Sequence, residues 1–356
     1  MTTSIKRRRL VQTLSLGSAA LALGISPLIA HAEPDSTLIA DAKKEGKLVV
    51  YGDLFTVQII VKGFTAKYPG IDVTTATGDA WQIYNRFIGE QQAGRPVMDV
   101  FYQAEDTIIT AGASGTLADV SYGDKGVLLP IATPAQGTTY LRGNGQLCLF
   151  AYNKQSIGSA PIPADWQDYA KPKDEWDGLV ATTNPASSSA TFAVIASLYQ
   201  HYGPEAGGAI LKGVRKTNAE LVASMGVMTT KLQTGERPLD FFTNTTAATG
   251  LITQGVPVEV RVPASGAVAQ FNAVAISKTA PHPNASKLFL DYALSAETQT
   301  RLAAAGAYPV RKDVAAPKGL PALTNVKLLK LDLPQALKDR DTILKWWSAS
   351  TGFNTR

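Results

Sequence analysis

Asn184-Pro185-Ala186-Ser187-Ser188-Ser189-Ala190-Thr191 is the stretch of this chain whose residue types are best suited to hold a ligand. Three serines and a threonine at the start of an apolar helical run set hydroxyl donors beside unpaired backbone N–H groups and the positive end of a helix dipole. An anionic head group (carboxylate, phosphate or phosphonate) suits such a pocket. Serine is also a favoured helix cap, and one serine suffices for that role. Ligand contact is therefore expected from Ser187, Ser188, Ser189 and Thr191 as a set, with capping as the competing role. Ligands of open parallel sheets lie beyond the carboxyl ends of the strands. The same rule picks out Gly52-Asp53-Leu54, Gly78-Asp79-Ala80-Trp81 and Gln103-Ala104-Glu105. Asp53 and Asp79 each suit either ligand contact or capping, and Trp81 suits either stacking on a ligand or a core face.

Catalytic chemistry finds little to work with. His31 lies in the N-terminal leader, which leaves His201 at the end of a helix and His282 in a turn between Pro281 and Pro283. Both read as solvated side chains. No Gly-x-Ser-x-Gly elbow, Gly-Lys-Ser/Thr phosphate loop or His-Glu-x-x-His pair occurs. Two histidines and one cysteine cannot make the usual zinc site. Cys148, the single cysteine, sits in the apolar run Gln146 to Tyr152 and reads as a buried, inert thiol. The expectation is a non-enzymatic chain with no cofactor, no catalytic residue and no metal-ligating residue.

The elements that must position these segments follow from apolar patterning. Lys47 to Tyr51, Ile71 to Thr75 and Asp99 to Tyr102 read as strands. Between them lie helices carrying Val57, Ile60, Val61 and Phe64, then Trp81, Tyr84 and Ile88. The first helix should stop at Tyr68-Pro69-Gly70. Short connections imply right-handed crossovers and a parallel sheet. A second α/β set follows: a strand at Leu179 to Thr182, a helix from Thr191 to Tyr202, further elements over Gly213 to Val222, and a strand at Leu239 to Phe242. Gln270 to Ser277 then reads as a strand and Asn284 to Leu294 as a helix. The fold expected is α/β in two lobes, each a mostly parallel sheet flanked by helices. The first lobe is discontinuous, 33–147 with 268–356 including the C-terminal helices, and 148–267 forms the second. Two lobes joined by two crossovers can close on a small ligand about a hinge.

Residues 1–32 have the order of a secretory signal: Lys6-Arg7-Arg8-Arg9, an apolar stretch from Leu10 to Ile29, then Ala30-His31-Ala32. Cleavage is expected after Ala32, the arginines resemble a twin-arginine export signal, and the destination is the periplasm. Ser15, Gly17, Ser18 and Gly24 make the apolar stretch too weak for a membrane span. The full chain carries a formal charge of +5. Removing four leader cations from 34 leaves 30 basic against 29 acidic residues, a net of +1. A near-neutral surface gives no electrostatic reason to bind nucleic acid or an anionic membrane. The mature chain is expected to be a monomer that is not inserted in the membrane.

Ala40 to Tyr51, Phe64 to Ile71, Ala93 to Val100, Ala280 to Tyr292 and Ala307 to Val314 together resemble periplasmic solute-binding proteins of the ferric-iron-binding type, over essentially the whole mature chain. The resemblance implies a type II binding-protein fold and delivery of a small-molecule solute to an ABC permease with its ATPase. Ferric-binding members carry adjacent tyrosines after a late strand of the second lobe. The matching stretch here is Asp240-Phe241-Phe242-Thr243-Asn244-Thr245-Thr246, where no tyrosine occurs. Phenylalanine cannot ligate a metal, and a threonine hydroxyl replaces a hard phenolate poorly. Thr243, Asn244 and Thr245 are instead expected among the ligand contacts, with Asp53, Leu54, Asp79, Ala80, Trp81, Gln103 and the serine run. Relatives on this scaffold bind phosphonates, sugar phosphates, carboxylates, thiamine or polyamines, and the serine run favours an anionic solute. Iron or an iron chelate is the alternative cargo. A receptor for a membrane sensor and a periplasmic hydrolase are lesser readings.

Overall fold

Each apolar run of the N-terminal third becomes a parallel strand followed by a helix in the computed structural model, which describes residues 35–123, 125–133 and 139–354. The leader and its cleavage site lie outside the described residues. Ser36–Glu45 (α1) precedes Lys47–Gly52 (β1), Leu54–Lys67 (α2), Asp72–Thr77 (β2), Ala80–Gln92 (α3), Val100–Ala104 (β3) and Glu105–Ala113 (α4). β1 lies between β2 and β3, parallel to both, with Tyr51 opposite Ala76 and Phe101. α2 ends at Lys67, ahead of Pro69, and Gly70 takes the turn at φ +99°, a conformation a side chain rarely permits.

The chain continues through Leu141–Asn153 (β4), Val180–Thr183 (β5), Ser189–Lys216 (α5), Glu220–Val222 (β6), Met225–Thr234 (α6), Leu239–Asn244 (β7), Thr245–Thr253 (α7), Val258–Arg261 (β8), Val268–Ile276 (β9), Pro283–Ala293 (α8), Ala296–Ala304 (α9), Leu333–Lys338 (α10) and Arg340–Thr351 (α11). The strand order is β2-β1-β3-β9-β4-β7-β5-β6, with β8 also on β4. β4 and β9 are the two crossover strands. β9 runs antiparallel to β3 and then to β4, from Leu141 opposite Val274 to Cys148 opposite Val268. Beyond Cys148, β4 pairs instead with β7 and β8. Two parallel sheets, β2-β1-β3 and β7-β5-β6, are thereby joined through one antiparallel pair.

Strand alternation divides the first lobe's core between two faces of its sheet. Val50, Val57, Phe64 and Phe289 pack on one, and Tyr51, Phe87, Phe101 and Ala275 on the other. The second lobe is centred on Phe150, Trp166, Phe192, Ile195 and Phe241. The buried indole of Trp166 donates to the Gly266 carbonyl at 2.9 Å, so its core position leaves no donor unmade.

Two expectations change. The sequence places all the C-terminal helices in the first lobe, where α8 and α9 do pack. α10 and α11 instead join the second: Ala336, Ile343 and Trp347 share the core of Phe192 and Leu198. The apolar Ile343 and Trp347, four residues apart, form a stripe that α5 covers. The chain reaches that position along the crossover strands, where the Tyr308 N–H donates to the Gly145 carbonyl at 2.7 Å and the Leu329 N–H to that of Ala267 at 2.9 Å. The second change concerns α3. Ile83 and Phe87 are its buried face, and Trp81 and Tyr84 are only half-buried. The helix is turned so that Trp81 stands outside the core of its own lobe.

Candidate functional site

The helices that follow the parallel strands open differently in the two lobes. In the first, acids occupy the openings. The Thr56 N–H donates to Asp53 Oδ2 at 2.8 Å, capping α2, and the Trp81 N–H donates to Asp79 Oδ1 at 3.1 Å, capping α3. α4 carries Glu105 and Asp106 in its first turn. In the second lobe the caps are uncharged: Ser188 on α5, Ser224 on α6 and Asn244 on α7. Carboxylates offset the dipole on one side of the molecule, and neutral oxygens leave it unopposed on the other.

The two sets meet where α4 faces α5. Ser189 Oγ donates to Asp106 Oδ2 at 2.7 Å, and the Thr107 N–H donates to Asp106 Oδ1 at 2.9 Å. Asp106 is buried, and that burial raises its pKa; the Ser189 and Thr107 donors and the charge of Arg340 act in the opposite sense. Arg340 is the first residue of α11. Its Nη2 donates to the Ala186 carbonyl at 2.9 Å, and its guanidinium carbon lies 4.5 Å from the Phe192 ring centroid and 5.0 Å from that of Trp81. One cation thus touches an aromatic ring from each lobe. Beside this cluster lies a cavity of about 140 Å³, lined among others by Glu105, Asp106, Arg142, Ser189, Gln270 and Leu331. Glu105 is paired within it, accepting from Arg142 Nε at 2.8 Å and the Tyr140 hydroxyl at 2.9 Å.

The other expected residues divide by position. Leu54 is 51% exposed at the start of α2, and Ala80 opens α3 beside Asp79. Gln103 is buried, accepting from the Ala104 N–H at 2.9 Å and donating to the Gly78 carbonyl at 3.4 Å, so it ties the ends of β2 and β3 together. Ser187 is close to the surface, while Ser188 Oγ accepts from the Thr191 N–H at 3.3 Å as the cap of α5. Thr191 is withdrawn from the opening, since its buried hydroxyl meets that of Thr183 inside the second lobe. Thr243 is buried, Asn244 caps α7 by accepting from the Ala247 N–H at 2.8 Å, and Thr245 Oγ1 accepts from the Leu147 N–H at 3.4 Å. Of the serine run, only Ser189 has a hydrogen bond to the opposite lobe among the described residues.

The sequence alone singles out neither Asp106 nor Arg340. Asp106 directly follows Glu105 and was within reach of the strand-end rule. Arg340 lies more than 150 residues from the segment it contacts, and nothing in its own neighbourhood marks it.

Several side chains that could do chemistry serve the structure instead. His282 is not simply solvated, because its N–H and its ring Nδ1 both meet the buried Asp99, at 2.7 and 2.8 Å. Cys148 is buried and its thiol pKa is pushed up to about 12 by desolvation. Among the described residues no group of three or more His, Cys, Asp or Glu side chains could hold a metal ion. No helix among them is long and apolar enough to cross a membrane.

Two α/β lobes joined by crossover strands, with helix openings facing each other across the boundary, make up the fold of the type II periplasmic binding proteins. Solved structures agree on that fold. AfuA from Actinobacillus pleuropneumoniae, solved with exogenous fructose-6-phosphate bound, is 21% identical, covers 87% of this chain and 99% of its own, and superposes with a TM-score of 0.76. Iron-bound HitA from Pseudomonas aeruginosa is 20% identical over 85% of this chain and 99% of its own, with a TM-score of 0.72. A substrate-binding protein of an ABC transporter from Agrobacterium tumefaciens is 18% identical over 86% and 94%, with a TM-score of 0.71. Residues 60–327 match the family model of the bacterial extracellular solute-binding proteins, and the chain belongs to that family.

Proposed function

We propose that this protein captures a small anionic solute (an organophosphate, phosphonate or carboxylate) between its lobes in the periplasm and passes it, without turnover, to an ABC permease with its ATPase. The leader would direct export through the twin-arginine route, with cleavage after Ala32. One observation carries the choice of an anion. The opening of α5 already holds a carboxylate from across the boundary, Ser189 donating to Asp106 at 2.7 Å. A solute carboxylate or phosphate presents the same acceptor chemistry to the same donors. Direct coordination of Fe³⁺ by phenolates has less to draw on. Tyr102 donates to Asn144 at 2.9 Å, and its burial raises its pKa well above the usual phenol value. Tyr152 donates to Glu259 at 2.7 Å.

A thermal-shift screen of phosphonates, sugar phosphates, dicarboxylates, polyamines and ferric citrate, followed by calorimetry of the hits, tests the reading. An anionic solute at a hundredfold excess over its Kd should stabilise the protein by about 2.7 kcal/mol. Stabilisation by polyamines alone, or by ferric citrate alone, would overturn it.

A further inference from the structure

We propose that Arg340, supplied by the C-terminal helix, is the specificity-determining residue that reads the anionic head group of the solute; this rests on the receptor reading above. The guanidinium is fixed by one donor and leaves another unused. Nη2 is held by the Ala186 carbonyl at 2.9 Å, in the loop that leads to the serine run. Nη1 is buried and has no acceptor among the described residues. A charged donor withdrawn from water without an acceptor is costly, so this atom is primed for an oxyanion. The indole Nε1 of Trp81, whose ring faces the same guanidinium, is likewise buried without an acceptor. Two unmatched donors, one from each lobe, therefore lie within the same aromatic-walled cluster.

The position suits recognition on closure. Phe192 belongs to α5 and Trp81 to α3, so the cation is stacked by both lobes only when they approach each other. The carboxylates that act on Arg340 are Asp106, from α4, and Asp341, its neighbour on α11. Asp106 remains bound to Ser189 and Thr107, and no hydrogen bond joins it to the guanidinium. With Nη2 held by Ala186, the unmatched Nη1 can donate to an oxyanion from a guanidinium fixed beside two rings, an orientation that a flexible lysine ammonium does not keep. Selection for oxyanions over neutral solutes of the same shape follows from that charged, unmatched donor.

The test compares wild type with Arg340→Lys and Arg340→Met by calorimetry, using inorganic phosphate, glycerol 3-phosphate, methylphosphonate and succinate as probes, with glycerol as the neutral control. Thermal melting is measured alongside. Arg340→Met should lose at least tenfold in affinity for the anion that wild type binds best. Arg340→Lys, which keeps charge without the fork, should fall between the two. If Arg340→Met does not fold, an Arg340→Lys affinity equal to wild type overturns the proposal. A lower melting temperature with unchanged anion affinity makes Arg340 a structural clamp, and the proposal fails while the receptor reading stands. If wild type itself binds none of the four anions, both fail together.

Discussion

Asp106 and Asp240 are both buried aspartates, yet one stands at the lobe boundary and the other inside the second lobe. Burial raises the pKa of each. At Asp106 that effect is opposed by a hydroxyl from the other lobe, a backbone N–H and the charge of Arg340. At Asp240 neither carboxylate oxygen has a hydrogen-bond partner among the described residues, and the nearby phenol of Tyr169 has none either. Burial alone therefore does not mark a site. Convergence of donors from separate elements sets Asp106 apart, and it occurs at the lobe boundary. Burying Asp240 without a hydrogen-bond partner is a cost to stability that the packing of Phe241, Trp166 and Tyr169 must offset.

That contrast is sharpened most by Asp240→Asn. A carboxyl whose folded-state pKa is raised above its unfolded value of about 3.9 favours the folded state at low pH, and the benefit is lost as pH rises. The variant removes this titration, so relative to wild type it should gain stability between pH 4 and pH 7. The gain is about 1.4 kcal/mol for each unit of the raised pKa within that window. Urea unfolding of both proteins at the two pH values reads the difference. An identical stability gap at both pH values would mean that Asp240 is ionised in the fold after all.

Asp106→Asn should act less on stability and more on binding. Removing a negative charge from the opening of α5 takes away a competitor of the solute anion, and affinity should rise severalfold, roughly 1 kcal/mol. Calorimetry with the best anion of the screen provides the reading. A drop in affinity would break the comparison, because Asp106 would then belong to the grip on the solute rather than stand in for it.

Much of the framework was legible because it is local. Glycine and proline mark the end of α2, the apolar runs give β1, β3 and β7, and Asp53, Asp79 and Ser188 announce helix openings by their type. The break within α5 also follows from local chemistry: Gly203, at φ +78°, precedes Pro204, just after the point where the helix was expected to end. What could not be read depends on distant packing. The orientation of α3, which frees Trp81, is decided by how Ile83 and Phe87 fit the sheet. The placement of α11 on α5 is decided by the pairing of Ile343 and Trp347 with a helix far back in the chain. Arg340 reaches the boundary only through that placement. Thr191 shows the converse, a residue of the right type at the right spacing whose hydroxyl turns inward to Thr183.

The central claim is that the solute's anion sits on the uncharged helix openings of the second lobe, and a crystal structure of the complex with the best anion of the screen tests it most directly. The account predicts an oxyanion within hydrogen-bond distance of Arg340 Nη1 and of the donors at Ser189, with Trp81 closing over it. An anion seated at the openings capped by Asp53 and Asp79, or one lying away from the lobe boundary, would contradict it.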